Sequence, residues 1–154
     1  MNSTSDSSRA TKAHFRRMSS ADADKVAAIL RESPEASAWS AETILEMAGN
    51  GMGWVAEVEL LVGGFLIGRA VADEFEILNM AVAQAHRRCG IADNLVKLAM
   101  EWAVSVGATR AHLEVRASNT AAISLYARNG FVASGRRALY YKNPDEDAIL
   151  FMRT

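Results

Sequence analysis

One stretch decides the fold, residues 75–115, which read FEILNMAVAQAHRRCGIADNLVKLAMEWAVSVGATRAHLEV. Its beginning, Phe75 to Ala83, is strongly apolar and predicts a strand. Apolar residues then recur at helical spacing from Gly90 to Val106, and Gly107 follows where a glycine commonly ends a helix. The alternation of apolar and polar residues from Ala111 predicts a second strand. A strand, a helix and a strand in this order predict two parallel strands joined by a right-handed crossover.

Shorter elements flank this unit on both sides. Upstream, the patterns predict a short strand near 14–18, a helix whose end or following loop is marked by Pro34, a second helix capped by Ser40, a break at 49–53, and a hairpin of strands 54–58 and 60–71. Downstream, they predict a helix over 120–129 closed by Gly130, and strands over 131–134 and 147–152, joined by a stretch that contains Tyr140-Tyr141 and a turn at Asn143-Pro144. Hairpins beside a parallel unit predict one α+β domain over residues 13–154, a mixed, mostly antiparallel sheet with helices on both faces.

The composition is that of an ordinary globular protein. The chain has 154 residues, 50% of them hydrophobic and 23% charged, and its formal net charge is −1. A nearly neutral chain does not favour nucleic-acid binding, and the longest apolar run, Leu60 to Ile67, is too short for a membrane span. The single cysteine, Cys89, excludes an internal disulfide and a cysteine-based zinc cluster. Residues 1–12 are rich in serine and lack the apolar core of a signal peptide. We therefore predict a disordered tail there, and a soluble cytoplasmic protein. We also expect a monomer or a weak homodimer.

The loop between the first strand and the long helix predicts a binding site for a pyrophosphate. It covers residues 86–92 and reads HRRCGIA. The first turn of a helix has four free N–H groups and the positive end of the helix dipole. Gly90 lets the backbone approach an anion, and Arg87 and Arg88 can add charge-assisted hydrogen bonds. The loop has neither the Gly-Lys-Ser/Thr of a P-loop nor a G-x-G-x-x-G fingerprint. The alternative is a solvated basic turn that only caps a core helix.

These motifs resemble those of a known family. Arg87-x-x-Gly90-x-Ala92 after an apolar strand resembles the acetyl-CoA pyrophosphate loop of the Gcn5-related N-acetyltransferases (GNAT). Residues 113–126, LEVRASNTAAISLY, and the Asn-Gly-Phe at 129–131 closely resemble the RimI-type ribosomal-protein-alanine N-acetyltransferases. Further segments fit the same subfamily, namely the strand 77–82, the pair Tyr140-Tyr141 and the stretch 146–149.

The resemblance implies a GNAT fold, in which the two parallel strands splay apart at the coenzyme site. It also implies a reaction, the direct transfer of an acetyl group from acetyl-CoA to a protein N-terminal amine without a metal. The expected acceptor is the N-terminal alanine of a small-subunit ribosomal protein. Two alternatives remain open: a GNAT enzyme that acts on a small amine or another protein N-terminus, and a non-catalytic acyl-CoA-binding module.

The resemblance also places the coenzyme contacts. They fall on the backbone of Met80, Ala81 and Val82, and on Arg87, Arg88, Cys89, Gly90, Ile91, Ala92, Asp93 and Asn119. A strand that splays from its neighbour frees N–H and C=O groups for the pantetheine arm, and a free N–H such as that of Met80 can polarise the thioester carbonyl. Asn119 is equally natural as the N-cap of the helix that follows it.

Two residues match the catalytic groups of the family. Glu114 matches the general base, because a carboxylate can take the proton of an α-amine whose pKa is about 8. Tyr126 matches the general acid, because a phenol with a pKa of about 10 keeps its proton at neutral pH and can donate it to the leaving thiolate. The alternatives are a solvated glutamate on a strand and a core aromatic. Cys89 lies in the phosphate loop, away from the expected acetyl end, which disfavours an acetyl-cysteine intermediate.

The acceptor side is expected at two short segments. Trp39 and Ser40 resemble the substrate-side segment of the family, although they are equally typical of the start of a helix. Tyr140 and Tyr141 are expected to shape the groove for the acceptor, although paired aromatics are also common packing at a strand edge.

The sequence also departs from the family pattern. Ala92 replaces a frequent second glycine, Cys89 replaces a frequent arginine, and Asp93 places a carboxylate near the expected pyrophosphate. That carboxylate should weaken coenzyme binding. The basic pair Arg136-Arg137 also lies one residue farther from Tyr140-Tyr141 than in the subfamily pattern.

Overall fold

The structure, a computed structural model, describes residues 12–154. The predicted disordered tail over 1–12 therefore lies, apart from Lys12, outside the described residues. The strands are β1 (His14–Arg17), β2 (Met52–Val58), β3 (Leu61–Val71), β4 (Glu74–Val82), β5 (Arg110–Arg116), β6 (Val132–Tyr141) and β7 (Glu146–Arg153). The α-helices are α1 (Ala23–Arg31), α2 (Ala41–Asn50), α3 (Ile91–Ser105) and α4 (Thr120–Arg128), and short 3₁₀ turns cover Ser20–Asp22 and Gln84–His86.

The predicted α+β architecture is confirmed. The strands form one sheet in the order β1-β2-β3-β4-β5-β7-β6, and all described pairs are antiparallel except β4 with β5. Helices cover both faces of the sheet, and each face has its own core. One core packs α3 and α4 against the sheet around Phe75 and Leu95, and the other packs α1 and α2 around Val26, Ile44 and Phe65.

The parallel pair β4–β5 is short, and this creates the splay. Only Glu74, Phe75 and Glu76 of β4 lie opposite residues of β5. Along the other side of β4, Gly68 of β3 faces Ile77 and Ile67 faces Asn79, so Leu78 is the extra residue of a β-bulge. The bulge bends β4 where it leaves β5, and a wedge opens between the two strands.

The caps and end glycines predicted for α2, α3 and α4 are confirmed, whereas α1 ends at Arg31, three residues before Pro34. Gly107 has a φ of +92° and Gly130 a φ of +86°, as expected for glycines that follow helix ends. The side chains of Ser40 and Asn119 accept hydrogen bonds from the N–H groups of Thr43 and Ala122, which are N-cap contacts.

The prediction of a strand that ends at Ser134 is wrong. β6 continues to Tyr141, so Tyr140 and Tyr141 belong to the strand and not to the connection after it. β6 is one of the two edge strands of the described sheet, and every residue of it before Tyr141 is exposed. Its sequence therefore has no burial alternation from which its length can be predicted. The predicted break at 49–53 is also narrower, because α2 runs through Asn50 and β2 begins at Met52. Among the described residues, none of the helices is both long and apolar enough to cross a bilayer.

Candidate active site

The loop before α3 has the geometry of an anion site. Arg88 and Gly90 adopt left-handed conformations, with φ of 63° and 80°. The first helical hydrogen bond runs from the Asn94 N–H to the Gly90 carbonyl, so the N–H groups of the preceding turn lack intrahelical acceptors. A methyl group on Gly90 would have no neighbour closer than Asn94, at 4.0 Å. The N-terminus of α3 is therefore open and positively polarised, which fits a diphosphate.

The Arg87 side chain forms hydrogen bonds with other groups of the protein. Its Nε donates to the Val82 carbonyl at 2.9 Å, and its guanidinium contacts Glu35 at 3.0 Å and the Ser33 hydroxyl at 3.3 Å. This arginine thus ties the end of β4 and the anion loop to the connection between α1 and α2. Its predicted contact with the coenzyme stays a prediction, and the Val82 carbonyl already has a donor.

Asp93 is also paired. One oxygen of its carboxylate accepts from Arg128 at 3.1 Å and the other from Asn129 at 3.1 Å, so the first turn of α3 is tied to the end of α4. The arginine compensates the negative charge that the sequence places near the expected pyrophosphate. Cys89 beside it is half-buried, and its thiol contacts the Arg87 carbonyl at 3.5 Å.

The segment expected on the acceptor side is attached to β4 beyond the bulge. Asn79 is buried, and its side-chain amide donates to the Ser37 carbonyl at 3.0 Å. Trp39 packs against the core under α1 and α2, and Ser40 caps α2. The structure therefore supports the helix-start interpretation of both residues, while their predicted acceptor contacts stay predictions.

Glu114 lies on β5 just beyond the last residue paired with β4, on the polar face of the strand. Its side chain is 20% exposed, and its Oε1 lies 3.4 Å from Nε of Arg137. The same carboxylate raises the pKa of the neighbouring Tyr140 above its usual value. Glu76, at the end of the paired part of β4, is close enough to raise that pKa further.

Tyr126 is buried in the core on the α3 side, edge-on to Phe131 at 5.6 Å between ring centroids. Burial raises the pKa of Tyr126 well above its usual value, and the neighbouring Tyr141 raises it further. Burial also raises the pKa of Tyr141 to about 12, with Glu114 the next cause. Tyr141 therefore lies near both predicted catalytic residues.

Arg116 anchors the hairpin that carries the two adjacent tyrosines. Its guanidinium donates to the Lys142 carbonyl at 2.9 Å and the Pro144 carbonyl at 3.0 Å, and it lies 3.3 Å from Glu146. It also covers the ring of Tyr141 at 4.6 Å. The turn between β6 and β7 is thereby fixed over the end of β5, beside Glu114.

A family model described as the Acetyltransferase (GNAT) family matches residues 18–131. The chain belongs to this family. Enzymes of the GNAT family use acetyl-CoA as their cosubstrate, and the open helix start at α3 fits the diphosphate of that molecule.

The curated relatives of this GNAT chain differ in what they act on. The [Ribosomal protein bS18]-alanine N-acetyltransferase of Escherichia coli K12 is 37% identical over 91 residues, which cover 58% of this chain and 62% of that protein. The mycothiol acetyltransferase of Corynebacterium efficiens is 34% identical over 97 residues, which cover 58% of this chain and 33% of that protein. The chain thus matches about three fifths of the length of the first relative and a third of the second. Among solved structures, the ribosomal-protein-S18-alanine N-acetyltransferase from Escherichia coli has a TM-score of 0.80 and 28% identity, over 92% of this chain and 93% of that one.

The sequence patterns missed four features of this GNAT site. They are Arg137 on Glu114, Glu76 near Tyr140, Arg128 on Asp93, and the clamp of Arg116 on the last hairpin. Each joins residues on different elements, so no local spacing signals it. Of these four features, only the first had a sequence signal, the unusual spacing of Arg136-Arg137 from the tyrosine pair. Within residues 12–154, no cluster of three or more His, Cys, Asp or Glu is arranged to hold a metal ion.

Proposed function

We propose that this chain transfers the acetyl group of acetyl-CoA to the N-terminal amine of a protein, in the cytoplasm. The first acceptor to test is the N-terminal alanine of ribosomal protein bS18, because the E. coli relative is named for that reaction. The observation that carries the proposal is the place of Glu114. A carboxylate that is 20% exposed lies two residues past the last residue of β5 that pairs with β4, beside two tyrosines.

The proposed chemistry is a direct attack. An α-amine with a pKa of about 8 is mostly protonated at neutral pH and cannot attack until a base takes a proton. Glu114 takes that proton, the nitrogen forms the new C–N bond, and the C–S bond of the thioester breaks. Burial keeps Tyr126 protonated, so its hydroxyl is available as a donor to the leaving thiolate.

The coenzyme would be held by the groups predicted from the sequence. The start of α3 offers N–H groups to the diphosphate, and the edge of β4 beyond Glu76 has no pairing with β5, which leaves room for the pantetheine arm. Asn119 serves as a helix cap, and a second role toward the coenzyme remains part of the proposal.

Transfer to a small amine is the second candidate. The similarity to a mycothiol acetyltransferase favours it, since that relative matches this chain at 34% identity. Consumption of acetyl-CoA with a peptide that begins with alanine, compared with a panel of small amines, separates the two candidates. The same peptide with a blocked N-terminus is the control.

We expect Glu114→Gln and Tyr126→Phe each to lower kcat about 100-fold, the usual contribution of an acid or base, and to leave the affinity for acetyl-CoA unchanged. Glu74→Gln is the matched control, because Glu74 is a partly exposed glutamate at the start of β4 whose partner is Arg110. If the wild type binds acetyl-CoA but acetylates no amine, the chain is a binding module. If either variant loses coenzyme binding instead of rate, its residue has a structural role.

A further inference from the structure

β6 has a bulge at the position where the sequence departs from the subfamily spacing. Arg137 lies opposite Ala148 and Tyr141 lies opposite Glu146, so residues 138–140 of β6 face only Asp147 of β7. Leu139 adopts a left-handed conformation with a φ of 51°. Asp147 holds the bulge, because one carboxylate oxygen accepts from the Leu139 N–H at 2.9 Å and the other from Arg136 at 2.7 Å.

The bulge brings two side chains onto one carboxylate. Residues 137 and 140 are three positions apart, and in a regular strand they would point to opposite faces. Here both Arg137 and Tyr140 reach Glu114, and the Arg137 guanidinium lies 5.4 Å from the centre of the Tyr140 ring.

Arg137 differs from the other arginines of this region in the carboxylate with which it pairs. Arg116 pairs with Glu146 and Arg136 with Asp147, and neither carboxylate has a part in the proposed reaction. Arg137 pairs with the proposed base itself, at 3.4 Å, and its side chain is 55% exposed. A cation that is held from the solvent side can be displaced by another cation.

We propose that Arg137 is a specificity-determining residue that occupies Glu114 until the ammonium group of the acceptor replaces it. The inference rests on the proposed function, because it assigns Glu114 to the acceptor amine. Arg137 contacts Oε1 of a side chain that is only 20% exposed, so its positive charge repels a second cation that approaches the same carboxylate, and the ammonium group of an acceptor must compete with it. An acceptor must therefore be cationic enough to compete, which favours alkyl amines such as a protein N-terminus over weakly basic aromatic amines. After displacement, the guanidinium keeps its contact with the Tyr140 ring.

The test compares Arg137→Gln with the wild type, using a peptide that begins with alanine. We expect the acceptor KM to fall about threefold, the scale of a partly exposed ion pair, with kcat within about twofold and the coenzyme KM unchanged. The dissociation constant of the peptide from the complex with CoA, which cannot turn over, should fall by the same factor. Arg137→Lys keeps the positive charge and should keep the wild-type KM. Lys142→Gln removes a cation of the same hairpin that has no contact with Glu114, and it should leave the KM unchanged.

The outcomes separate the inference from the proposed function. A wild type that acetylates no amine overturns the proposed function and, with it, this role. A wild type that is active overturns only the role of Arg137 if Arg137→Gln leaves the acceptor KM unchanged or raises it. A large fall in kcat would mean that Arg137 orients Glu114 instead of competing for it. Equal effects of Arg137→Gln and Lys142→Gln would assign the change to the overall charge of the hairpin.

Discussion

At the scale of single residues, the tyrosines are unusual because all three in the chain, Tyr126, Tyr140 and Tyr141, belong to the candidate active site. The pKa of each is raised, but for different reasons. Burial is the main cause at Tyr126 and at Tyr141, whereas the neighbouring Glu114 carboxylate is the main cause at Tyr140. All three hydroxyl groups therefore remain protonated at neutral pH and can donate hydrogen bonds.

A pH titration of the folded protein, followed by the absorbance of tyrosinate, should reveal these raised pKa values. We expect no tyrosine to titrate at the ordinary pKa of about 10 and Tyr141 to titrate near 12, whereas all three titrate at the ordinary value in denaturant. Because the folded protein binds these protons more tightly, their contribution to stability is complete below the unfolded pKa of about 10 and is lost as the pH rises through the folded values. Tyr126→Phe should remove only the part of the absorbance that belongs to the buried residue. A folded protein in which one tyrosine titrates near 10 would contradict the environment described for it.

At the scale of the elements, the path of β4 depends on a glycine of β3. Gly68 lies opposite Ile77, immediately before the bulge at Leu78. A methyl group on Gly68 would overlap the ring of Phe75, which is fully buried, and would lie 2.8 Å from the Glu76 carbonyl oxygen. The glycine lets β3 and β4 pack closely where β4 begins to leave β5.

Gly68→Ala is therefore expected to lower the free energy of unfolding by about 1–3 kcal/mol, the usual cost of overpacking, and to lower activity as the splay shifts. Gly49→Ala is the matched control, because Gly49 lies in α2 with no atom within 4 Å of the added methyl group. That change should be neutral or stabilise the protein by up to about 1 kcal/mol, since alanine is the better helix former. Denaturant unfolding measures both variants, and equal stabilities would mean that the contact at Gly68 is not close.

At the scale of the whole molecule, the wedge lies between two groups of elements that share a hydrophobic core but are paired over only a short length of strand. β4 and the start of α3 form one side, and β5, α4 and the last hairpin form the other. Three residue pairs connect β4 to β5, and Asp93 connects α3 to the end of α4. A ligand that contacts both sides should stabilise the molecule as one unit.

Acetyl-CoA at about 100 times its dissociation constant should raise the free energy of unfolding by about 2.7 kcal/mol. Acetyl-pantetheine at the same concentration should stabilise the protein less, because without a diphosphate it leaves the N–H groups at the start of α3 unused. Glu114→Gln should keep the full effect, since Glu114 is assigned to the acceptor. Equal stabilisation by the two compounds, measured by thermal unfolding, would mean that the α3 loop binds no phosphate.

Much of the fold follows from local patterns in the sequence. The β4–α3–β5 unit, the glycines after α3 and α4, and the caps at Ser40 and Asn119 were all predicted, because burial and capping repeat with the period of each element. The length of β6 was not, because an edge strand with exposed side chains has no such period. The bulges at Leu78 and at residues 138–140 have no local signal either, since each depends on the register of a neighbouring strand.

The sequence by itself determined the class of fold, the family motifs and the residue types available for acid, base and phosphate contacts. Only the tertiary structure decided how those groups are engaged. It pairs Arg137 with Glu114, Arg128 with Asp93, and Arg87 with Glu35. The physical reason is that a charged side chain pairs with an opposite charge that lies near it in space. Which partner is nearest depends on strand order and bulges rather than on distance along the chain.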